Sequence, residues 1–299
     1  MLADAALDGL DSPAARREGV RTTRRELKAV RAIAPLCRDA GPSHGSTDGP
    51  TDGSTAGATI GASNGAIDGV LEFSTKTNQL LGPLRDRDTL LRSIHRIVER
   101  FADADTRRVA RTVLVATLIF SESDRRDEAA YSAASIDRAR RSMRSARAAM
   151  ASLGAAPAFD PTHASTLLLR NFRACRPELD AALRTSDLGR LHECRKRATF
   201  LALALRPFED EVSSDVRRMR ARAKRLAAAL GEDRDLALLD VELRVARAQL
   251  AGSPLASAID DALRLARLES IARVEDAAAA FLRLGRGRIK RGVASLFGV

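Results

Sequence analysis

Apolar residues along this chain recur at spacings of three and four, and nowhere does apolar–polar alternation with period two run long enough to make a strand. That pattern restricts the fold to packed helices. Composition agrees. Ala, Leu and Arg dominate, aromatic residues make up only 3%, and the 10 Pro and 19 Gly fall largely in a few places where helices would stop. A chain of 299 residues has room for about two ordinary domains, or for one larger body made of two halves.

In chain order, Ser12-Pro13 supplies an N-cap followed by Pro at the first helical position, and Ala40-Gly41-Pro42 supplies a stop, so the first helix is expected over residues 12 to about 39. From 41 to 69 the composition changes abruptly to Gly, Ser, Thr, Asp and Ala, with near-duplications such as Ser46-Thr47-Asp48-Gly49 and Thr51-Asp52-Gly53-Ser54. Such a stretch buries too little apolar surface to offset its ordering entropy, and is expected to be a disordered insertion acting as a flexible spacer. Helical patterning resumes near Val70 and continues through Leu90, Leu91, Ile94, Ile97 and Val98, followed by helices at about 105–121 and 123–153. Residues 154–161, with two prolines, divide the chain into expected halves 1–154 and 155–299. In the second half helices are expected at about 162–185, 188–207, 209–230, 233–251, 254–269 and 272–296. An all-α protein of about eight to ten helices follows.

Lys and Arg number 50 against 39 Asp and Glu, a formal net charge of +11. Such a surplus favours a polyanionic partner, whether nucleic acid, anionic lipid or a phosphate polymer, without choosing among them. Two segments concentrate it. In the first helix, Arg21, Arg24, Arg25, Lys28 and Arg31 share one arc, beside an apolar stripe of Leu27, Val30 and Ala34. With no acid interleaved on that arc the cations repel by a few tenths of a kcal/mol per i,i+4 pair, which an anionic ligand relieves. In the second, opening at Leu191-His192-Glu193-Cys194-Arg195-Lys196-Arg197, the residues His192, Arg195, Lys196 and Arg206 fall within one arc. Cys194, Ala198, Leu201 and Leu205 form the adjoining core face. Arg218, Arg222, Arg225, Arg138, Arg141 and Lys290-Arg291 are weaker clusters, expected to be solvated surface.

Several function classes lose support. The chain has no run of about 18 apolar residues and no signal-like N-terminus. Cys37, Cys175 and Cys194 form no CxxC pair, so neither a zinc site nor a disulfide framework is indicated, and a reducing, cytoplasmic setting is expected. An enzyme acting on phosphate esters would show an acidic metal cluster, a Walker loop or an activated nucleophile. None is visible, His44, His95, His163 and His192 are scattered, and neither metal nor cofactor is expected. A nucleic-acid binder would share the charge, but one Tyr and no Trp leave few stacking platforms, and no helix-turn-helix or zinc signature is present.

The two halves align. Arg21-Thr22-Thr23-Arg24-Arg25 lies over His192-Glu193-Cys194-Arg195-Lys196, and Leu81-Gly82-Pro83-Leu84-Arg85-Asp86 over Leu230-Gly231-Glu232-Asp233-Arg234-Asp235. A basic helix followed by LGxxRD therefore occurs twice in the same order, which argues for duplication with an approximate two-fold arrangement.

On these motifs the chain resembles the CHAD family, the conserved histidine α-helical domain. The family pattern is H-x-x-R-(K/R)-x-x-(K/R)-x-x-(R/W) in each half, followed by an RD or DHD-like element. His192-x-x-Arg195-Lys196 and Leu230-Gly231-Glu232-Asp233-Arg234-Asp235-Leu236 match it best. Arg21 stands where the family places its other histidine, Thr199 where a second-half cation is common, and Arg234 where histidine is frequent.

The resemblance implies two pseudo-symmetric antiparallel helical bundles around a basic channel that binds inorganic polyphosphate, in a stand-alone, non-enzymatic form that associates with polyphosphate granules. The polyphosphate-binding residues it implies are Arg21, Arg24, Arg25, Lys28, Arg31, His192, Arg195, Lys196 and Arg206. Asp86 and Asp235 pair with the arginines and orient them. The chemistry suits the ligand: a phosphate polymer has no bases or sugars to read, Arg offers it a planar fork, and Lys a flexible point charge. Because Arg21 replaces a histidine, positive charge at this spacing, more than imidazole chemistry, is what the site is expected to require. Nucleic acid is the second reading of the same charge, and phosphate-ester catalysis the third.

Overall fold

The computed structural model describes residues 16–38, 54–120, 125–151, 160–185, 187–208, 210 and 212–299. These form α-helices with no strand among the described residues, as the periodicity requires. In chain order they are α1 (Arg16–Ile33), α2 (Ser54–Leu80), α3 (Gly82–Val98), α4 (Ala104–Phe120), α5 (Arg125–Ala151), α6 (Pro161–Thr185), α7 (Leu188–Ala204), α8 (Ser214–Glu242), α9 (Arg244–Gln249), α10 (Pro254–Leu282) and α11 (Arg286–Phe297). Short 3-10 turns follow α1 at Ala34–Cys37 and α7 at Arg206–Phe208. None of these helices is long and apolar enough to cross a membrane.

Side-chain caps fix several starts. Asp187 accepts from the amides of Gly189 at 2.8 Å and Arg190 at 3.1 Å, and Ser253 accepts from Ala256 N at 3.2 Å with Pro254 behind it. Each cap satisfies amides that have no partner within the helix.

Helix boundaries depart from the sequence expectations in instructive ways. The stretch expected to be disordered through residue 69 is helical from Ser54 onward, because α2 packs on α1 and α5 and buries Ile67 and Val70. Residues 39–53 lie outside the described residues, as does most of the expected break at 154–161. The helices expected at 209–230 and 233–251 are instead one continuous α8 running through Gly231 to Glu242. Leu226, Leu230, Leu236 and Leu239 keep one face of α8 in the core across the glycine, and this tertiary burial outweighs the roughly 1 kcal/mol that Gly costs inside a helix. Likewise α10 continues past residue 269 to Leu282. The first helix ends earlier than expected, at Ile33, with Pro35 in the turn that follows.

Three apolar clusters hold the helices. The largest joins α6, α7, α8, α10 and α11, with Phe172 and Phe281 edge to face at 5.6 Å. A second packs Ile94, Ile97 and Leu114 of α3 and α4 against Leu236, Leu239, Ile259 and Leu263 of α8 and α10. A third joins Val20 and Leu27 of α1 to Leu81, Ile136 and Met143. The second cluster takes residues from both sides of residue 154, so the two halves share a core.

Candidate functional site

Both basic helices meet. α1 packs against α7, α3 packs against α8, and α1 also touches α3. The two basic segments and the two Leu-Gly signatures are thereby drawn into one neighbourhood, although they are spread over more than two hundred residues of chain.

On α1, Arg21, Arg25 and Arg31 are exposed, while Arg24 and Lys28 are half-buried. Of the expected apolar stripe Leu27 is buried, but Val30 and Ala34 are only half-buried; Val20, Thr23 and Ala29 complete the inner side. No acid lies on the exposed basic arc, but Glu26 meets these cations from the inner side of the helix. It is 3% exposed, lies 3.1 Å from Arg25 Nε, and accepts from Arg206 Nη1 at 3.2 Å. A carboxylate buried this far is stable only when paired, and two guanidinium groups supply the pairing. Sequence spacing placed Glu26 off the basic arc, and nothing in the spacing showed that it turns inward toward a residue of the other half.

On α7, Cys194, Ala198, Leu201 and Leu205 are wholly buried, as the periodicity predicts. His192 and Lys196 are exposed and Arg195 is half-buried. Arg206 does not share their arc. α7 ends at Ala204, and the 3-10 turn that follows carries Arg206 away from the helix to Glu26. Lys196 Nζ sits 2.7 Å from Glu193 Oε1 at the surface, where such a pair contributes little and exchanges readily for another anion.

One arginine of each basic segment lies beside the glycine of a Leu-Gly signature. A Cβ placed on Gly231 would lie 3.6 Å from Arg195 Nε and Cζ, and one on Gly82 would lie 3.7 Å from Arg24 Nη1. At Gly231, inside α8, the missing side chain leaves room for the Arg195 guanidinium to lie on the helix; at Gly82, the first residue of α3, it leaves room for the tip of Arg24. Arg24 Nη1 also donates to the carbonyl of Asn78 near the end of α2.

The second signature contributes more than the sequence assigned to it. Glu232 pairs with Arg96 of α3 and, at 3.4 Å, with Arg273 of α10. Arg267 Nη1 of α10 donates to Asp233 O at 2.9 Å and lies 3.2 Å from its carboxylate. These pairs fix the Gly231 region between α3 and α10. Asp235 is half-buried on α8, and the side chain of Asp86 lies outside the described residues. Arg234 is exposed and acts on His192: burial first, then the positive charges of Lys196 and Arg234, push that imidazole below its ordinary pKa.

Under α7, Cys194 Sγ and Cys175 Sγ each lie against the other's backbone carbonyl, at 3.9 and 3.8 Å. The sequence separates these cysteines, and the α6 and α7 packing joins them as free thiols. The hydrogen bond with Cys194, together with burial, raises the Cys175 pKa and holds it as a thiol.

With this geometry in place, the family follows from one match: the CHAD domain model covers residues 68–244, more than half of the chain. The chain belongs to the CHAD family. No curated protein and no solved structure matches it. The CHAD match begins inside α2 and ends just past α8, so it contains the His192 segment and both Leu-Gly signatures. It leaves α1, with Arg21 to Arg31, outside, together with α10, α11 and all but the first residue of α9.

Proposed function

We propose that this CHAD protein binds inorganic polyphosphate without hydrolysing it, through the cations of α1 and α7. The observation that carries the reading is the matched pair of contacts, Arg24 on Gly82 and Arg195 on Gly231. Duplicated segments each present an arginine beside such a glycine, which suits a ligand whose own chemistry repeats. Around them Arg21, Arg25, Lys28, Arg31, His192, Lys196 and Arg206 supply charge and donors, and the polymer displaces Glu193 from Lys196. Recognition then consists of charge-assisted hydrogen bonds to phosphate oxygens. Asp86 and Asp235 orient arginines of the site, while the polymer competes with Glu26 for Arg25 and Arg206. An approximate two-fold relation between the halves gives the polymer equivalent footholds along its length, and the same reading includes association with polyphosphate granules in the cytoplasm.

A competition experiment tests the ligand class. Long-chain polyphosphate should displace a labelled DNA duplex at equal phosphate concentration; retention of the DNA would favour nucleic acid as the partner. Release of inorganic phosphate from polyphosphate or a nucleoside triphosphate would overturn the non-enzymatic part of the reading.

A further inference from the structure

Among the described residues, a group of cations without ion-pair partners lies away from α1 and α7. From Arg283 to Val299 the chain contains no acidic residue but carries Arg283, Arg286, Arg288, Lys290 and Arg291, all exposed. None of these five forms an ion pair with a described residue, and the same holds for Arg170 and Arg173 on the neighbouring α6. Elsewhere exposed arginines are commonly neutralised, as Arg108 is by Asp105 at 3.0 Å and Arg264 by Asp261 at 3.0 Å.

The charges on α11 are held in fixed positions. Ile289, Val293 and Phe297 are buried, and Phe297 meets Phe208 edge to face at 5.4 Å. At Gly292 the helix comes so close to the start of α8 that a Cβ would fall 2.6 Å from Ser213 Oγ. On one flank, a cleft of about 850 Å³ between α6 and α11 is lined by Arg170, Arg173 and Lys290 with the hydroxyl residues Ser165 and Thr166. On the other flank, a cleft of about 340 Å³ is lined by Arg222, Arg283 and Arg288 together with the Asp215–Arg218 ion pair, so one carboxylate stands on that side. α11 is thus a firmly packed basic ridge between two clefts: the one toward α6 mixes cations with apolar and hydroxyl groups, and the one toward α8 holds more cations than acids. Like charges held together in this way raise the energy of the empty surface, and a polyanion lowers it.

This face is separate from the first. α6 packs on α7, α7 on α8, α8 on α11 and α11 on α6, so these four helices close a ring in which α7 and α11 stand at opposite corners. Their exposed sides therefore look in different directions. No exposed aromatic residue accompanies the α11 cations, so a single-stranded nucleic acid finds no stacking platform there, and the face offers charge alone, as a bare phosphate chain requires.

We propose that the α6–α11 face is a second phosphate-polymer site, so that one protein molecule holds polymer on two sides. The identity of the ligand rests on the function proposed above; the existence of the site does not. Two sites facing apart make the protein a cross-linker of long chains, gaining avidity that short chains lack.

The test is calorimetric titration of the full chain with tripolyphosphate. Two sites per chain are expected for the unaltered protein and one for Arg286→Glu/Lys290→Glu, with the neutral Arg286→Gln/Lys290→Gln weakening the same site at least tenfold. The charge-matched Arg108→Glu/Arg264→Glu, which changes paired arginines elsewhere, should keep both. A single site in the unaltered protein, or a count unchanged by both α11 variants, overturns the proposal. If Arg195→Glu/Lys196→Glu leaves the count at two while the α11 variants lower it, the α1–α7 assignment fails and the α6–α11 site stands.

Discussion

Arg206 and Glu26, 180 positions apart in sequence, form a partly buried ion pair: Arg206 Nη1 lies 3.2 Å from Glu26 Oε2, and the carboxylate side chain is 4% exposed. Arg25 shares the same carboxylate at 3.1 Å. One acid thus holds a cation from each basic segment and ties the first helix to the second half of the chain.

Glu26→Gln keeps the shape of that side chain but removes the charge that two guanidinium groups approach. The expected loss is about 1–3 kcal/mol of stability, the usual penalty for weakening a buried charged hydrogen bond. Urea denaturation should show a lower midpoint at unchanged slope. Polyphosphate affinity should not fall, because Arg25 and Arg206 are then freer to face the polymer. An unchanged midpoint would show that the pair does not tie the halves.

Gly231 separates two substitutions that are usually treated alike. Gly231→Ala places a methyl group 3.6 Å from Arg195, an ordinary contact, and is expected to be neutral or to stabilise α8 by up to about 1 kcal/mol. Gly231→Leu extends into the guanidinium and must displace it. Polyphosphate binding should weaken at least tenfold for Leu and change little for Ala. Equal affinities in both variants would mean that the resting position of Arg195 is irrelevant to the site.

The His192 imidazole is depressed by burial and by the charges of Lys196 and Arg234, so in the free protein it is neutral at pH 7. A bound polyanion raises that pKa. Binding therefore takes up a proton wherever the pH lies between the free and bound values, and affinity rises as pH falls through that window and levels off below the free value. His192→Gln should remove this slope. A proton uptake of zero at pH 6, measured by calorimetry in buffers of different ionisation enthalpy, would exclude His192 from the contact. For stability the sign is opposite: a depressed histidine favours the fold when neutral, so this contribution is present above the unfolded pKa and is lost as pH falls through the depressed folded value.

Arg176 closes the end of α10 and plays no part in the proposed site. Its guanidinium donates to the carbonyls of Leu282 at 2.5 Å and Leu284 at 3.0 Å, and lies over the Phe172 ring with 5.6 Å to its centroid. Hydrogen bonds from a charged donor contribute about 1.5–3 kcal/mol each in favourable cases. Arg176→Met should cost roughly 2–3 kcal/mol in thermal or urea unfolding. Below the melting temperature it should leave polyphosphate affinity within twofold, and a large affinity loss at full helicity would place Arg176 in the site.

Much of this was legible in the sequence, for identifiable reasons. Helical class, the inner face of α7 and the recurrence of a basic segment before a Leu-Gly signature all follow from local spacing, which a single chain displays directly. Helix ends were less legible. Gly231 looks like a stop, but the burial of Leu226, Leu230, Leu236 and Leu239 carries α8 through it. Burial of Ile67 and Val70 likewise makes α2 helical in a stretch whose composition argues for disorder. The role of Glu26 was not legible because periodicity assigns a residue to a face but cannot name a partner 180 residues away. Arg206 was misplaced because its arc presumed a helix that ends two residues earlier. The α11 cations looked like ordinary surface charge, since sequence counts cations without showing which of them have neutralising neighbours.

The central claim is that the α1 and α7 cations form a polyphosphate site, and the most direct measurement is the affinity for long-chain polyphosphate across a salt series, for the unaltered chain and for Arg25→Glu/Lys196→Glu. The account predicts log Kd rising linearly with log salt concentration, as counterions are released from each neutralised phosphate. For the variant it predicts affinity at least tenfold weaker with a shallower slope, and a far-UV circular dichroism spectrum that is unchanged. The same affinity and the same slope in both proteins would contradict it.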